Sequence, residues 1–209
     1  MIVLTGLKEI YNMKNILAVL AFCSLFVGQA SAGLIYQDDF GTGDNKQFHD
    51  SLGAWNVTQG NVELWNIPGW DGYAVDLNGY PTTLGGIETS ETFTFLANGS
   101  YVLSFLLGNN QNLYDNGILY GFRNDDGILA SGEIGNLESF LEDLNVKSTV
   151  VSLFFSPKTD VEASIFFTST GTADLGGAII DNVSLVPEPS TLAILGLGLM
   201  GLASRRLKK

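Results

Sequence analysis

The chain has 209 residues, with 22 Asp and Glu against 10 Lys and Arg, a formal net charge of −12, one cysteine and one histidine. Such a charge excludes nucleic acid as a partner, because phosphate is held by Lys and Arg that displace its counterions. A single cysteine excludes an intrachain disulfide, and one histidine with one cysteine excludes a Cys/His zinc cluster.

The first segment reads as an export leader. Met13-Lys14-Asn15 opens a charged stretch, and Ile16 to Val27 is almost wholly apolar. Ala30-Ser31-Ala32 gives the small-x-small pattern of a signal-peptidase site, so residues 1–32 are expected to be removed and Gly33 to become the N-terminus. Residues 1–12 precede a second methionine and add nothing that a leader needs, so Met13 is the expected true start. Cys23 lies in the apolar stretch behind the bulky Phe22, which argues against lipidation. The processed chain then holds no thiol.

Residues 33–186 are long enough for one domain with a full core. From Gly33 to Ser190 there are 21 Asp and Glu against four Lys and Arg, a net of −17. An acidic surface keeps an exported protein soluble and gathers divalent cations. Alternation of apolar and polar residues predicts strands at 54–58, 61–65, 72–77, 91–96, 101–107, 117–123, 148–155, 161–168 and 178–185. Gln59-Gly60 reads as a hairpin pause and Asn98-Gly99 as a turn. Tyr73, Val75 and Leu77 share one face, and Phe93 with Phe95 and Leu103 with Phe105 point inward. Trp55 and Trp65, both on strand patterns, are expected to be buried. Asn136 to Asn145 carries Leu137, Phe140, Leu141 and Leu144 at helical spacing and predicts the one short helix. Nine short strands without a βαβ rhythm predict an all-β, two-sheet jelly-roll sandwich.

Gln37-Asp38-Asp39-Phe40, Tyr101-Val102-Leu103-Ser104-Phe105 and Gly177 to Leu185 resemble a galactose-binding-like jelly roll, a fold used by carbohydrate-binding modules. The resemblance implies that the first and last strands lie close together, and that a structural calcium is held there, with Asp39 and Asp181 at the matching acidic positions. Gly41 stands where that family commonly has Glu, a departure that weakens the transfer of calcium.

Catalytic patterns are sparse. His49 sits in a polar stretch, with no Gly-x-Ser-x-Gly turn to present a nucleophile. Asp115-Asn116-Gly117 and Asp125-Asp126-Gly127 read as turns. The expectation is a non-catalytic protein. The stronger clue is aromatic: Trp55, Trp65, Trp70, Tyr73 and Tyr80 fall within 26 residues, with Asp71, Asp76 and Asn78 among them. Rings stack on the C–H face of a sugar while Asp and Asn bind its hydroxyls. Trp70, in a loop-like stretch, and Tyr80 are the expected glycan contacts.

The C-terminus carries a second signal. Val186-Pro187-Glu188-Pro189-Ser190 leads into the apolar run Thr191 to Ala203 and the basic residues Arg205, Arg206, Lys208 and Lys209. Prolines hold the first part extended. The basic cluster keeps the end cytoplasmic. Thirteen residues of helix cover about 20 Å, short of a hydrocarbon core of ~30 Å. That length suits a segment that is recognised and cut better than a permanent anchor, though a weak anchor remains the alternative. Pro187-Glu188-Pro189, the span and the basic end resemble the PEP-CTERM sorting signal. The resemblance implies an exosortase as partner, with Pro187, Glu188 and Pro189 as the motif it reads and the inner membrane crossed in transit. It is silent on the activity of the body. The expected protein is exported, non-catalytic and placed at the cell surface or in the extracellular matrix. The alternative is a lectin-like module that binds exopolysaccharide.

Overall fold

The structure, a computed structural model, describes residues 33–41, 45–67, 70, 72–80, 82–109, 116–137, 141–142, 145–146, 148–173 and 176–188. Gly33–Glu188 forms one compact unit. The strands, in chain order, are β1 (Tyr36–Asp38), β2 (Lys46–Phe48), β3 (Ser51–Leu52), β4 (Trp55–Gln59), β5 (Val62–Asn66), β6 (Tyr73–Asp76), β7 (Asn78–Gly79), β8 (Thr83–Leu84) and β9 (Gly86–Thr89). They continue as β10 (Phe93–Phe95), β11 (Tyr101–Asn109), β12 (Asn116–Asn124), β13 (Gly127–Ile134), β14 (Leu141–Glu142), β15 (Asn145–Val146), β16 (Thr149–Phe155), β17 (Val161–Gly171) and β18 (Ala178–Pro187).

Two seven-stranded sheets carry the fold. The first runs β16-β11-β18-β6-β5-β2, with β1 added beside β18. The second runs β13-β12-β17-β9-β4-β3, with β10 added beside β17. All pairings in both sheets are antiparallel. This is the expected jelly-roll sandwich, and its first and last strands are neighbours, Tyr36 opposite Leu185.

The core follows from strand alternation, since successive side chains point to opposite faces. Val75, Leu103, Phe105, Leu107, Val183 and Leu185 of the first sheet are buried against Trp55, Ile87, Phe95, Ile118, Phe122, Ile165 and Phe167 of the second. Aromatic rings fill much of the gap edge to face: Phe105 meets Tyr120 and Phe167, each at 4.9 Å, and Phe95 meets Tyr101 at 4.9 Å. On the outer side of the second sheet Arg123 covers Phe166, 5.1 Å from its ring centre, and pairs with Glu88.

Three local expectations are corrected. Gln59-Gly60 does not close a hairpin, because β4 pairs with β9 in the second sheet while β5 pairs with β6 in the first. The chain crosses between sheets there, and Gly60 takes φ +53° where a Cβ would meet the Leu84 carbonyl oxygen at 2.6 Å. Nor is 136–145 helical in its described part. Leu141–Glu142 and Asn145–Val146 pair as short strands, and Leu137 is fully buried; residues 138–140 and 143–144 lie outside the described residues. Finally, Asp125-Asp126 does turn the chain, but into a strand that alternation does not reveal, β13, an exposed edge.

Candidate functional site

The outer face of the first sheet carries a built aromatic platform. Along β5, Val62 and Leu64 enter the core, so Glu63 and Trp65 point outward. Trp65 is 41% exposed, against the expectation of burial; Trp55 is fully buried as expected. The indole Nε1 of Trp65 donates to Glu63 Oε2 at 2.6 Å. Gln47, across the ladder on β2, donates to Glu63 Oε1 at 2.6 Å. The same oxygen accepts the backbone N–H of Tyr80 at 3.0 Å. The Tyr80 carbonyl accepts from Asn61 Nδ2 at 2.6 Å and from Gln47 Nε2 at 3.2 Å. The Tyr80 backbone is thus pinned from both sides while the residue stays 62% exposed. One carboxylate therefore orients a tryptophan ring and the backbone of an exposed tyrosine. The missed signal was phase: a tryptophan two residues after Glu63 shares the glutamate's face, not the core's.

Trp70 is half-buried. Its backbone N–H donates to the Ile67 carbonyl at 3.1 Å, and its ring packs on Ile67, Ala74 and Ile179 on the outer side of β6 and β18. Proximity to Trp65 follows from the ladder, since Trp65 lies opposite Ala74, which Trp70 covers. Trp65 and Trp70 thus share one face, and the Tyr80 backbone is tied to Glu63 on that face.

Asp76 lies directly opposite Glu63 in the ladder, but it is buried, and its Oδ1 accepts the N–H of Asn78 at 2.8 Å. Glu63 is held by three donors. His49 is exposed in the bend after β2.

Asp39 is exposed and its Oδ1 accepts the N–H of Gly41 at 3.0 Å. Asp181 is fully buried and its Oδ1 accepts the N–H of Asn182 at 2.6 Å. Asn182 has φ 49° at a β-bulge in β18, where the register with β11 shifts between Ser104 and Leu106. Both carboxylates cap local backbone. Calcium takes six to eight oxygens, and no group of three or more Asp, Glu, His or Cys gathers among the described residues. Two carboxylates alone fall short of that set.

The C-terminal signal begins inside the sheet. Pro187 ends β18 opposite Tyr101, and the Glu188 N–H donates to the Ser100 carbonyl at 2.8 Å. Pro189, Arg205, Arg206, Lys208 and Lys209 lie outside the described residues, as do Ala30 and Ala32. No helix among the described residues is long and apolar enough to cross a membrane, and 191–203 lies outside them.

A two-sheet β-sandwich with an exposed aromatic face and a C-terminal signal defines the class. Residues 185–208 match the PEP-CTERM protein-sorting motif, which marks an exported protein. No curated protein matches the chain in sequence. Among solved structures, an arabinose-bound α-L-arabinofuranosidase is similar with a TM-score of 0.51 and 14% identity, over 76% of this chain and 26% of that one. The chain spans about a quarter of that enzyme, and the likeness is one of fold. TmCBM61 in complex with β-1,4-galactotriose gives 0.45 and 15% identity, over 64% of this chain and 88% of that one. A family 35 carbohydrate binding module from Clostridium thermocellum gives 0.40 and 13% identity, over 67% and 97%.

Proposed function

We propose that the protein is an exported, non-catalytic component of the cell surface or extracellular matrix, delivered through its C-terminal signal by an exosortase. The sorting motif at 185–208 carries this reading. Fractionation of cells expressing the full chain, with mass determination of the mature C-terminus, tests it. The expected product lacks the basic tail and sits in the envelope or the medium. Recovery from cytosol with residues 1–32 and 189–209 intact overturns it.

A second reading, that the body binds exopolysaccharide, is favoured by the Trp65–Glu63–Tyr80 arrangement. A pre-oriented ring loses little freedom when a sugar stacks on it. Titration of the mature chain with polysaccharide fragments is expected to saturate. Trp65→Ala is expected to weaken binding at least about tenfold, or ~1.4 kcal/mol. Because Trp65 is largely outside the core, its melting temperature should stay near that of the parent chain. Unchanged binding in Trp65→Ala and Tyr80→Ala removes the platform as the site.

A further inference from the structure

We propose that one corner of the first sheet is a lipid-contact surface, lying against the bilayer that the C-terminal apolar run enters. The register places Phe154 of β16 opposite Val102 of β11, and Val102 opposite Val186 of β18. On the other side of β18, Tyr36 lies opposite Leu185 and the Ile35 N–H donates to the Leu185 carbonyl at 2.9 Å, which brings Ile35 beside Val186. Phe155, Leu103, Leu185 and Tyr36 turn into the core, so their neighbours Phe154, Val102, Val186 and Ile35 face outward. Four apolar side chains, from β16, β11, β18 and the residue just before β1, make one row. Strand spacing gives it a length of ~14 Å.

The row is open. Phe154 is 66% exposed and Ile35 36%, while Val102 and Val186 are half-buried. Leu34, next to Ile35, and Leu96, in the turn that leads to β11, are also exposed. The next row inward is polar, Ser152, Ser104, Ser184 and Gln37, with the Ser104 and Ser152 hydroxyls 3.0 Å apart. This polar row bounds the apolar row on its inner side; beyond it Val150 of β16 is exposed again. Scattered apolar side chains on a surface need no explanation, but a contiguous row does. The acidic turn Asp125-Asp126 belongs to the second sheet, and Asp160 is tied to the Ala97 N–H at 2.7 Å. Glu188 stands at the end of β18, and Lys158 lies in the segment before β17.

Covalent reach selects the occupant. Val186 is a member of the row, and the apolar run begins five residues later at Thr191. Five extended residues span at most ~18 Å. Wherever the rest of the body turns, this corner stays within that distance of the point where the run enters lipid. Gly33, the first residue after the predicted leader, lies two residues from Ile35, so both apolar ends of the precursor leave from the same corner. The proposal rests on the reading that 191–203 enters a bilayer.

Nitroxide labels on single cysteines test it, in the full chain carrying Cys23→Ser and reconstituted in phosphatidylethanolamine/phosphatidylglycerol vesicles. Labels go at Phe154→Cys, at Tyr80→Cys as a control on the same face far from the corner, and at Leu197→Cys in the tail. Accessibility to oxygen, which enters lipid, is compared with accessibility to a water-soluble nickel chelate. The expected oxygen-to-nickel ratio at 154 is severalfold that at 80, and the two become equal in a chain ending at Glu188. If the label at 197 reports lipid while 154 matches 80, the proposal falls and the tail reading stands. If 197 reports water, both fall. A label at 154 shielded from both reagents means that protein covers the row, which also overturns the proposal. Phe154 and Tyr80 are exposed, and an unchanged circular dichroism spectrum confirms that each variant is folded.

Discussion

Trp55→Ala is expected to remove a large share of the stability of the body. The ring is fully buried on β4, in the second sheet, and touches Tyr36, Phe40 and Phe167 at centroid distances of 5.9, 5.9 and 5.7 Å. Removing a buried tryptophan ring costs ~3–5 kcal/mol. A domain of this size has ~5–15 kcal/mol in total. The indole Nε1 also donates at 2.8 Å to Oδ2 of Asp38, on β1 in the first sheet. Asp38 further accepts the Phe40 N–H at 2.8 Å and the Tyr36 hydroxyl at 3.2 Å. Trp55 and Asp38 thus tie the two sheets together by a hydrogen bond inside a ring cluster. Trp55→Phe separates the two contributions: it keeps most of the apolar contact and loses the donor, with an expected cost of ~1–3 kcal/mol. Urea midpoints of the two variants should fall in that order. Equal midpoints would show that the hydrogen bond, not the ring, carries the effect.

The same cluster has a pH signature. Burial, and after it the Asp38 carboxylate, pushes the Tyr36 phenol above the ordinary tyrosine range. A raised folded-state value in a group that is neutral when protonated favours folding below the unfolded-state value of 10.0, and the advantage is lost as pH climbs beyond it. The body is therefore expected to lose stability as pH rises above 10.0, read as a falling urea midpoint.

Alternation alone shows which residues share a face, and here that was enough for most of the core. Leu103 with Phe105, Phe93 with Phe95, and Val75 with Leu77 all point inward. What alternation cannot show is which sheet a strand joins. β4 and β5 are separated by two residues and look like a hairpin, yet their partners, β9 and β6, lie in opposite sheets. Pairing of this kind is decided by contacts far apart in sequence, which no local window contains. β13 escaped notice for a different reason: its inner face carries only the small Ala130 and Gly132 before Ile134, while Ile128 and Leu129 are exposed, so its apolar alternation is faint. The helical spacing of Leu137, Phe140, Leu141 and Leu144 gave way in its described part to strand pairing at Leu141–Glu142, a short apolar pattern compatible with either state. At the candidate site, Tyr80 stood out as a member of the aromatic cluster, and it is exposed. The exposure of Trp65 was not legible, because its size suggested burial while its position on the strand put it beside Glu63 and outside the core.

Two truncations are expected to differ sharply, although only four residues separate them. A chain ending at Glu188 retains every residue of β18 and the bond from the Glu188 N–H to Ser100. Its melting temperature should stay within about 3 °C of the parent body, a change of under ~1 kcal/mol. A chain ending at Ser184 loses Leu185, which is fully buried, and the ladder positions opposite Leu103, Val102 and Tyr101. The buried leucine alone is worth ~2–5 kcal/mol, and each ladder partner left unpaired adds its own desolvation cost. The Leu185 carbonyl that receives the Ile35 N–H goes as well, so β1 loosens with the end of β18. Denaturant midpoints of the two chains measure the difference. It bears on sorting because the matched segment begins at residue 185, inside the fold. A processing enzyme that cut within 185–187 would release a damaged body, so the mature C-terminus is expected at Glu188 or beyond. A stable, folded product ending before Pro187 would mean that the end of β18 is dispensable, and the shared boundary between fold and signal would lose its meaning.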